Sequence, residues 1–148
     1  MKILVLHGPN LNLFGRREPH IYGTMTLEQI NERLRTLAAK IQAQLTIVQS
    51  NHEGVLVDAF HKHMDDVAGA IINPAGLTQY SVSLHDAIKA MPFPVIEVHM
   101  SNIAAREEWR HHPIISPAVK GTVQGLGWRS YTAALRALVE MVREKQSK

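Results

Sequence analysis

The sequence predicts an α/β fold, with five parallel strands in a doubly wound sheet between two layers of helices. Three observations predict it. Short apolar runs rich in Val, Ile and Leu alternate with longer stretches of helical periodicity along the chain. Parallel strands joined by right-handed crossovers are the natural solution to that alternation. At 148 residues the chain is too short for a closed eight-stranded barrel, which needs ~250.

Taken in order, Lys2–Leu6 (KILVL) is a short continuous apolar run and reads as a buried strand. The start carries one lysine and then Gly-Pro-Asn, not a small-residue cleavage site, so strand is preferred to signal peptide. Leu13–Gly23 (LFGRREPHIYG) packs two arginines, a glutamate, a histidine and a tyrosine between glycines, and is expected to be neither helix nor strand. Thr26 and Gln29 have capping-box spacing, and Leu27, Ile30, Leu34, Leu37 and Ile41 follow at helical intervals. Gln44–Ser50 is the second strand. Ser50 and Glu53 suggest another capping box, with Leu56, Ala59, Phe60, His63 and Val67 on one helix face. Gly69–Gly76 is the third strand and its turn. Ser81–Met91 is a short helix, stopped by Pro92 and Pro94. Pro94–Asn102 is the fourth strand with its loop, and Gly121–Gly127 a short fifth. Tyr131, Leu135, Leu138 and Val142 mark the closing helix. The order matches a flavodoxin-like fold, a three-layer αβα arrangement in a single domain over 1–148.

Composition narrows the function. Hydrophobic residues at 45% and charged residues at 20% are ordinary for a globular domain. The absence of cysteine excludes disulfides, thiolate metal sites and a cysteine nucleophile, and suits a reducing cytoplasm. No apolar run has the length of a membrane span. The net charge is +3, but the arginines are scattered, with no basic stripe or aromatic platform. A small anionic ligand is therefore expected in preference to nucleic acid.

In an open α/β sheet, ligands bind beyond the carboxyl ends of the strands. The first strand ends in His7–Asn10 (HGPN), the third in Asn73–Gly76 (NPAG) and the fourth in His99–Asn102 (HMSN). Each alone is ordinary turn chemistry; three together, beside the charged Leu13–Gly23 segment, point to a site. Other motifs fall away. His52–Leu56 (HEGVL) lacks the second histidine of a zinc helix. His61 and His63 do not share a helix face and read as solvated surface, and His111-His112 as loop. Gly125–Ser130 (GLGWRS) lacks the third glycine of a dinucleotide fingerprint, and no phosphate loop or nucleophile elbow is present.

The stretches HGPNLNLFGRREPHIYG, QSNHEG, NPAGLTQYSVSLHDA, IEVHMSNIAAREEWR and SPAVKGTVQGLGWRSY resemble, in content, order and spacing, type II 3-dehydroquinate dehydratases. The resemblance implies a flavodoxin-like subunit with no cofactor and no metal. It implies dehydration of 3-dehydroquinate through an enolate, in shikimate synthesis or quinate breakdown, by a dodecamer built as a tetramer of trimers. By motif position it makes Tyr22 the general base, and Arg17 the residue that lowers its pKa and steadies the transition state. His99 is the acid for the departing hydroxyl, and Asn10 holds a water against the enolate. Asn73, Met100 and Ser101 are ligand contacts, Arg110 binds ring hydroxyls, Glu97 orients His99, and Asp86 reaches the site of a neighbouring subunit. One pair departs from the pattern: Gln79-Tyr80 stands where the family usually has histidine-threonine. Glutamine still hydrogen-bonds but carries no charge, so Gln79 is kept as a binding residue. Two other classes compete: a flavodoxin-like module that binds an anion or flavin without catalysis, and a metal-dependent hydrolase.

The chemistry explains these residue types. A free tyrosine has a pKa of ~10, so about one in a thousand is phenolate near neutrality. Lowering that by ~3 units takes ~4 kcal/mol of preference for the anion. A cation ~4 Å away, at an effective dielectric of ~20, supplies about that much. Arginine stays charged throughout, which favours Arg17 for the task. Gly15 and Gly23 bracket the segment, so a mobile lid over about 15–24 is expected to close on the substrate and expel water. Glu97 lies two residues before His99, on the same side of the strand. Arg106 and Arg110 are four apart; one of them is expected in the site and the other on Glu107 or a neighbour, with Arg110 the choice for the site.

Overall fold

A computed structural model describes residues 1–148. Its five strands are β1 (Lys2–His7), β2 (Gln44–Gln49), β3 (Gly69–Asn73), β4 (Val95–His99) and β5 (Gly121–Gln124). They pair in the order β2-β1-β3-β4-β5, every pair parallel. The helices are α1 (Pro19–Tyr22), α2 (Leu27–Lys40), α3 (Glu53–Lys62), α4 (Val82–Lys89) and α5 (Arg129–Gln146). This is the doubly wound α/β fold expected from the alternation, with the strand order reversing between β1 and β3.

Period-two alternation divides each strand between two cores. Ile3 and Val5 of β1, Ile71 of β3, and Ile96 and Val98 of β4 pack with α2 and α5. Leu4 and Leu6, Ala70 and Ile72, and Val95 pack with α3 and α4 on the opposite face. Because β1, β3 and β4 bury both faces, they read as continuous apolar runs and not as alternating ones.

The Thr26–Gln29 capping box forms in full. Four local expectations are corrected. Leu13–Gly23 is not wholly irregular: Pro19, whose fixed φ suits a first helical turn, opens α1, and Gly23 closes it. The second capping box is absent: Ser50 Oγ accepts the backbone N–H of His52, and Glu53 turns away to take the hydroxyl proton of Ser81 at the head of α4. A tertiary partner wins Glu53, so α3 starts without a side-chain cap. Helix α3 also ends at Lys62, so Val67 lies beyond it and packs on the second core from the following turn. His63 is not solvated surface: its side chain is largely covered, with Nδ1 2.9 Å from Asp66 Oδ1.

Candidate active site

Three strands deliver their ends to one place. Gly8, just past β1, donates its N–H to Asn73 O at 2.8 Å. A Cβ at Gly8 would sit 2.6 Å from Pro74 O, so only glycine lets the two loops approach this closely. Asn10 holds φ 68° and Ala75 φ 52°, both in the sparsely populated left-handed region. Asn51 Oδ1 accepts the N–H of Asn10 and pins that turn.

Between these ends and α1 lies a cavity of about 210 Å³. Of the residues singled out above, Asn10, Arg17, Tyr22, Asn73, Gln79, His99, Met100, Ser101 and Arg110 line it. Glu97 stands behind His99, outside the lining. Asp86 is not brought in: it sits exposed on α4, its carboxylate 2.9 Å from His85 Nδ1. Arg106 and Trp109 also line the cavity and were not assigned to it.

Tyr22 joins both the core and the site. The residue is 9% exposed, and its ring packs on Phe14 at 5.7 Å between centroids. Arg106 Nη1 donates to its hydroxyl at 2.8 Å and to Ser101 Oγ at 3.3 Å. Arg17 lies over the ring, its guanidinium carbon 4.9 Å from the centroid. The expectation for the two arginines four apart is thus partly reversed. Both face the cavity, but Arg110 is the one bound tightly to Glu107, at 2.6 Å, whereas Arg106 holds the phenol. The segment explains it: two short 3-10 turns, Ile103–Ala105 and Glu108–His111, replace a single helix. A hydrogen bond that it accepts from its own backbone N–H, followed by the one from Arg110, keeps the exposed Glu107 carboxyl below its ordinary range.

Glu97 and His99 share a strand face, as their spacing requires. Glu97 Oε2 is 2.8 Å from His99 Nε2, and Ser116 Oγ donates to the same carboxylate at 2.9 Å. Nε2 is thus engaged, which leaves Nδ1 for the cavity. Gln79 Nε2 donates to Arg110 O at 3.1 Å, and its Oε1 is buried with no partner. Three guanidinium groups, and no carboxylate, line the cavity. Its field selects an anion.

Beneath the site is a second polar group. Tyr131 is fully buried, and burial raises its phenol above the ordinary range, with Asn73 opposing. Burial also lowers His7 to about 4, against the opposing effect of the hydrogen bond that His7 Nε2 donates to Asn31 Oδ1.

The family model described as Dehydroquinase class II matches residues 1–139. A 3-dehydroquinate dehydratase of Halothermothrix orenii is 46% identical over 97% of each chain. One from Nostoc sp. is 52% identical over 94% of this chain and 95% of its own. The crystal structure of the type II dehydroquinase from Propionibacterium acnes superposes with a TM-score of 0.91 at 42% identity, covering 94% of this chain and 96% of that one. With agreement of this extent in both sequence and backbone, the chain belongs to the type II dehydroquinase family.

Proposed function

We propose that this protein is a hydro-lyase that converts 3-dehydroquinate to 3-dehydroshikimate and water, in the shikimate route or in quinate breakdown. One observation carries the mechanism: a phenol gripped by a guanidinium and an imidazole gripped by a carboxylate open into one cation-rich cavity. The flavin-binding alternative finds no support in the family match.

Tyr22, as phenolate, takes a proton from the carbon beside the ketone. Arg106 donates to the phenol oxygen, and a donated N–H favours the oxyanion. Arg17 adds positive charge over the ring. The bonding electrons of the C–H bond move to the ketone oxygen, and Asn10 holds a water against that enolate. Collapse of the enolate breaks the C–O bond one carbon further on. His99 gives its Nδ1 proton to the departing oxygen, which leaves as water, and Glu97 fixes the ring through Nε2. Asn73, Ser101 and the Met100 backbone hold the substrate carboxylate. Arg110 and the unpartnered Gln79 oxygen face the ring hydroxyls. The segment about 15–24 acts as a lid.

Asp86 serves a second copy. It is exposed on α4, and Tyr80 and Val82 beside it are 70% and 59% exposed, an apolar surface suited to burial between subunits. The assembly is a dodecamer, in the cytoplasm, and no helix is long and apolar enough to cross a membrane. The test is to add 3-dehydroquinate to purified protein and follow the conjugated enone by absorbance, while sedimentation sizes the same sample. Turnover by an oligomer is expected. No enone overturns the activity, and a fully active monomer overturns the shared site.

A further inference from the structure

Three buried polar side chains beneath the cavity have no part in the chemistry above: Asn31, His7 and Tyr131, each 7% exposed or less. They connect to Asn73. His7 and Asn73 are register partners on β1 and β3, so they project from the same face of the sheet. Tyr131, from the first turn of α5, reaches both: its hydroxyl is 3.0 Å from His7 Nδ1 and 3.0 Å from Asn73 Nδ2. Asn31 of α2 ends the series, with Oδ1 2.8 Å from His7 Nε2.

The series has one direction. Asn31 Oδ1 only accepts, so His7 carries its proton on Nε2. Burial keeps His7 neutral down to about pH 4, so Nδ1 is bare and accepts the Tyr131 hydroxyl proton. That spends the only proton Tyr131 has, and its oxygen must accept from Asn73 Nδ2. Asn73 Oδ1 in turn accepts the N–H of Ala75 at 3.1 Å. One Nδ2 hydrogen of Asn73 is left over, on a residue that lines the cavity.

We infer that Asn31, His7 and Tyr131 are positioning residues that fix the amide of Asn73, so that it offers the bound ligand a hydrogen-bond donor and never an acceptor. This rests on Asn73 being a substrate contact. Reversing the amide would set Nδ2 against the Ala75 N–H and Oδ1 against a tyrosine oxygen with no proton to give. None of the three touches the cavity, so an effect on ligand binding travels through Asn73.

Steady-state kinetics on the full-length protein separates this role from a merely structural one. Tyr131→Phe and Asn31→Leu are each expected to raise KM roughly tenfold, the worth of one oriented hydrogen bond, with kcat within about twofold. Leu138→Ala is the control: Leu138 is fully buried on the same helix as Tyr131, so the variant loses stability, and KM is expected to stay unchanged. The side-chain amide resonances of ¹⁵N-labelled Asn73 are expected to move in both relay variants and not in the control. Unmoved KM in Tyr131→Phe and Asn31→Leu, or the same rise in Leu138→Ala, overturns the inference. If Asn31→Leu does not fold, Tyr131→Phe, which loses a single oxygen, decides. If the wild-type protein fails to dehydrate 3-dehydroquinate, the functional reading falls. The Asn73 resonances then decide the relay alone, and unmoved signals in Tyr131→Phe overturn it.

Discussion

Tyr22 is held on two sides by cations with different geometry, and the difference predicts different losses. Both guanidinium carbons lie near the ring, Arg17 at 4.9 Å and Arg106 at 5.3 Å from its centroid, but only Arg106 also donates to the oxygen. A charge-assisted hydrogen bond contributes about 1.5–3 kcal/mol. Arg106→Gln is therefore expected to lower kcat ~10–100-fold while the fold persists. Tyr22→Phe removes the proposed base and is expected to cost ~10²–10⁴ in kcat, with Arg17→Ala also losing most turnover. Enone absorbance, with circular dichroism as the fold control, measures all three. Near-normal kcat in Arg106→Gln would show that its contact with the phenol is incidental. The sequence made Glu97 and His99 legible as a pair because two residues along a strand share a face. It could not join Arg106 to Tyr22, 84 residues apart, or His7 to Tyr131, 124 apart. Those contacts are made by the sheet, which brings together residues that no local period relates.

At the level of elements, legibility followed how strongly local chemistry decides structure. The α2 cap was readable because both of its partners lie in the same turn. The spacing of Ser50 and Glu53 misleads at α3 because Ser81, from another helix, takes Glu53. The charges of Leu13–Gly23 suggest an irregular segment, yet Pro19 is a sufficient signal for one helical turn. The hinges proposed for it yield a prediction. Gly15 has φ +90°, and an added Cβ would stand 3.0 Å from Thr24 O and 3.1 Å from Thr26 Cγ2. Gly23 has φ +79° with no atom within 4 Å of that position. Both Gly→Ala changes strain the backbone by ~1–3 kcal/mol, but only Gly15→Ala also forces the root of the proposed lid away from the start of α2. Gly15→Ala is expected to lower kcat/KM at least about tenfold, and Gly23→Ala distinctly less. Equal kinetics in the two variants would remove Gly15 as a hinge.

For the whole molecule, the residue that binds the layers together is His7. It lies in the second position of the sheet, touches α2 through Asn31 and α5 through Tyr131, and is the register partner of Asn73. Charging it breaks a contact common to the sheet and one whole helical layer, so its titration is coupled to global unfolding. The folded protein holds His7 at about 4, below the 6.5 of an unperturbed histidine. Above pH 6.5 both states leave it neutral and its contribution is constant. As pH falls from 6.5 towards 4, the unfolded chain takes up a proton that the folded chain refuses, so stability declines through that window. Below about 4 both states are protonated and the decline from this group ends. Its extent is the 2.5-unit gap between 6.5 and 4, about 3 kcal/mol at ~1.36 kcal/mol per unit. His7→Gln keeps a donor and an acceptor but cannot charge. It is expected to lower stability at pH 7, where the shape of the imidazole is lost, and to flatten the acid slope between 6.5 and 4. Urea unfolding of both proteins, at one protein concentration to hold subunit association fixed, gives the difference directly, and the other histidines and carboxylates cancel. Parallel curves across that window would mean that His7 takes up its proton in the folded state at the ordinary pH. The buried series would then be open to water.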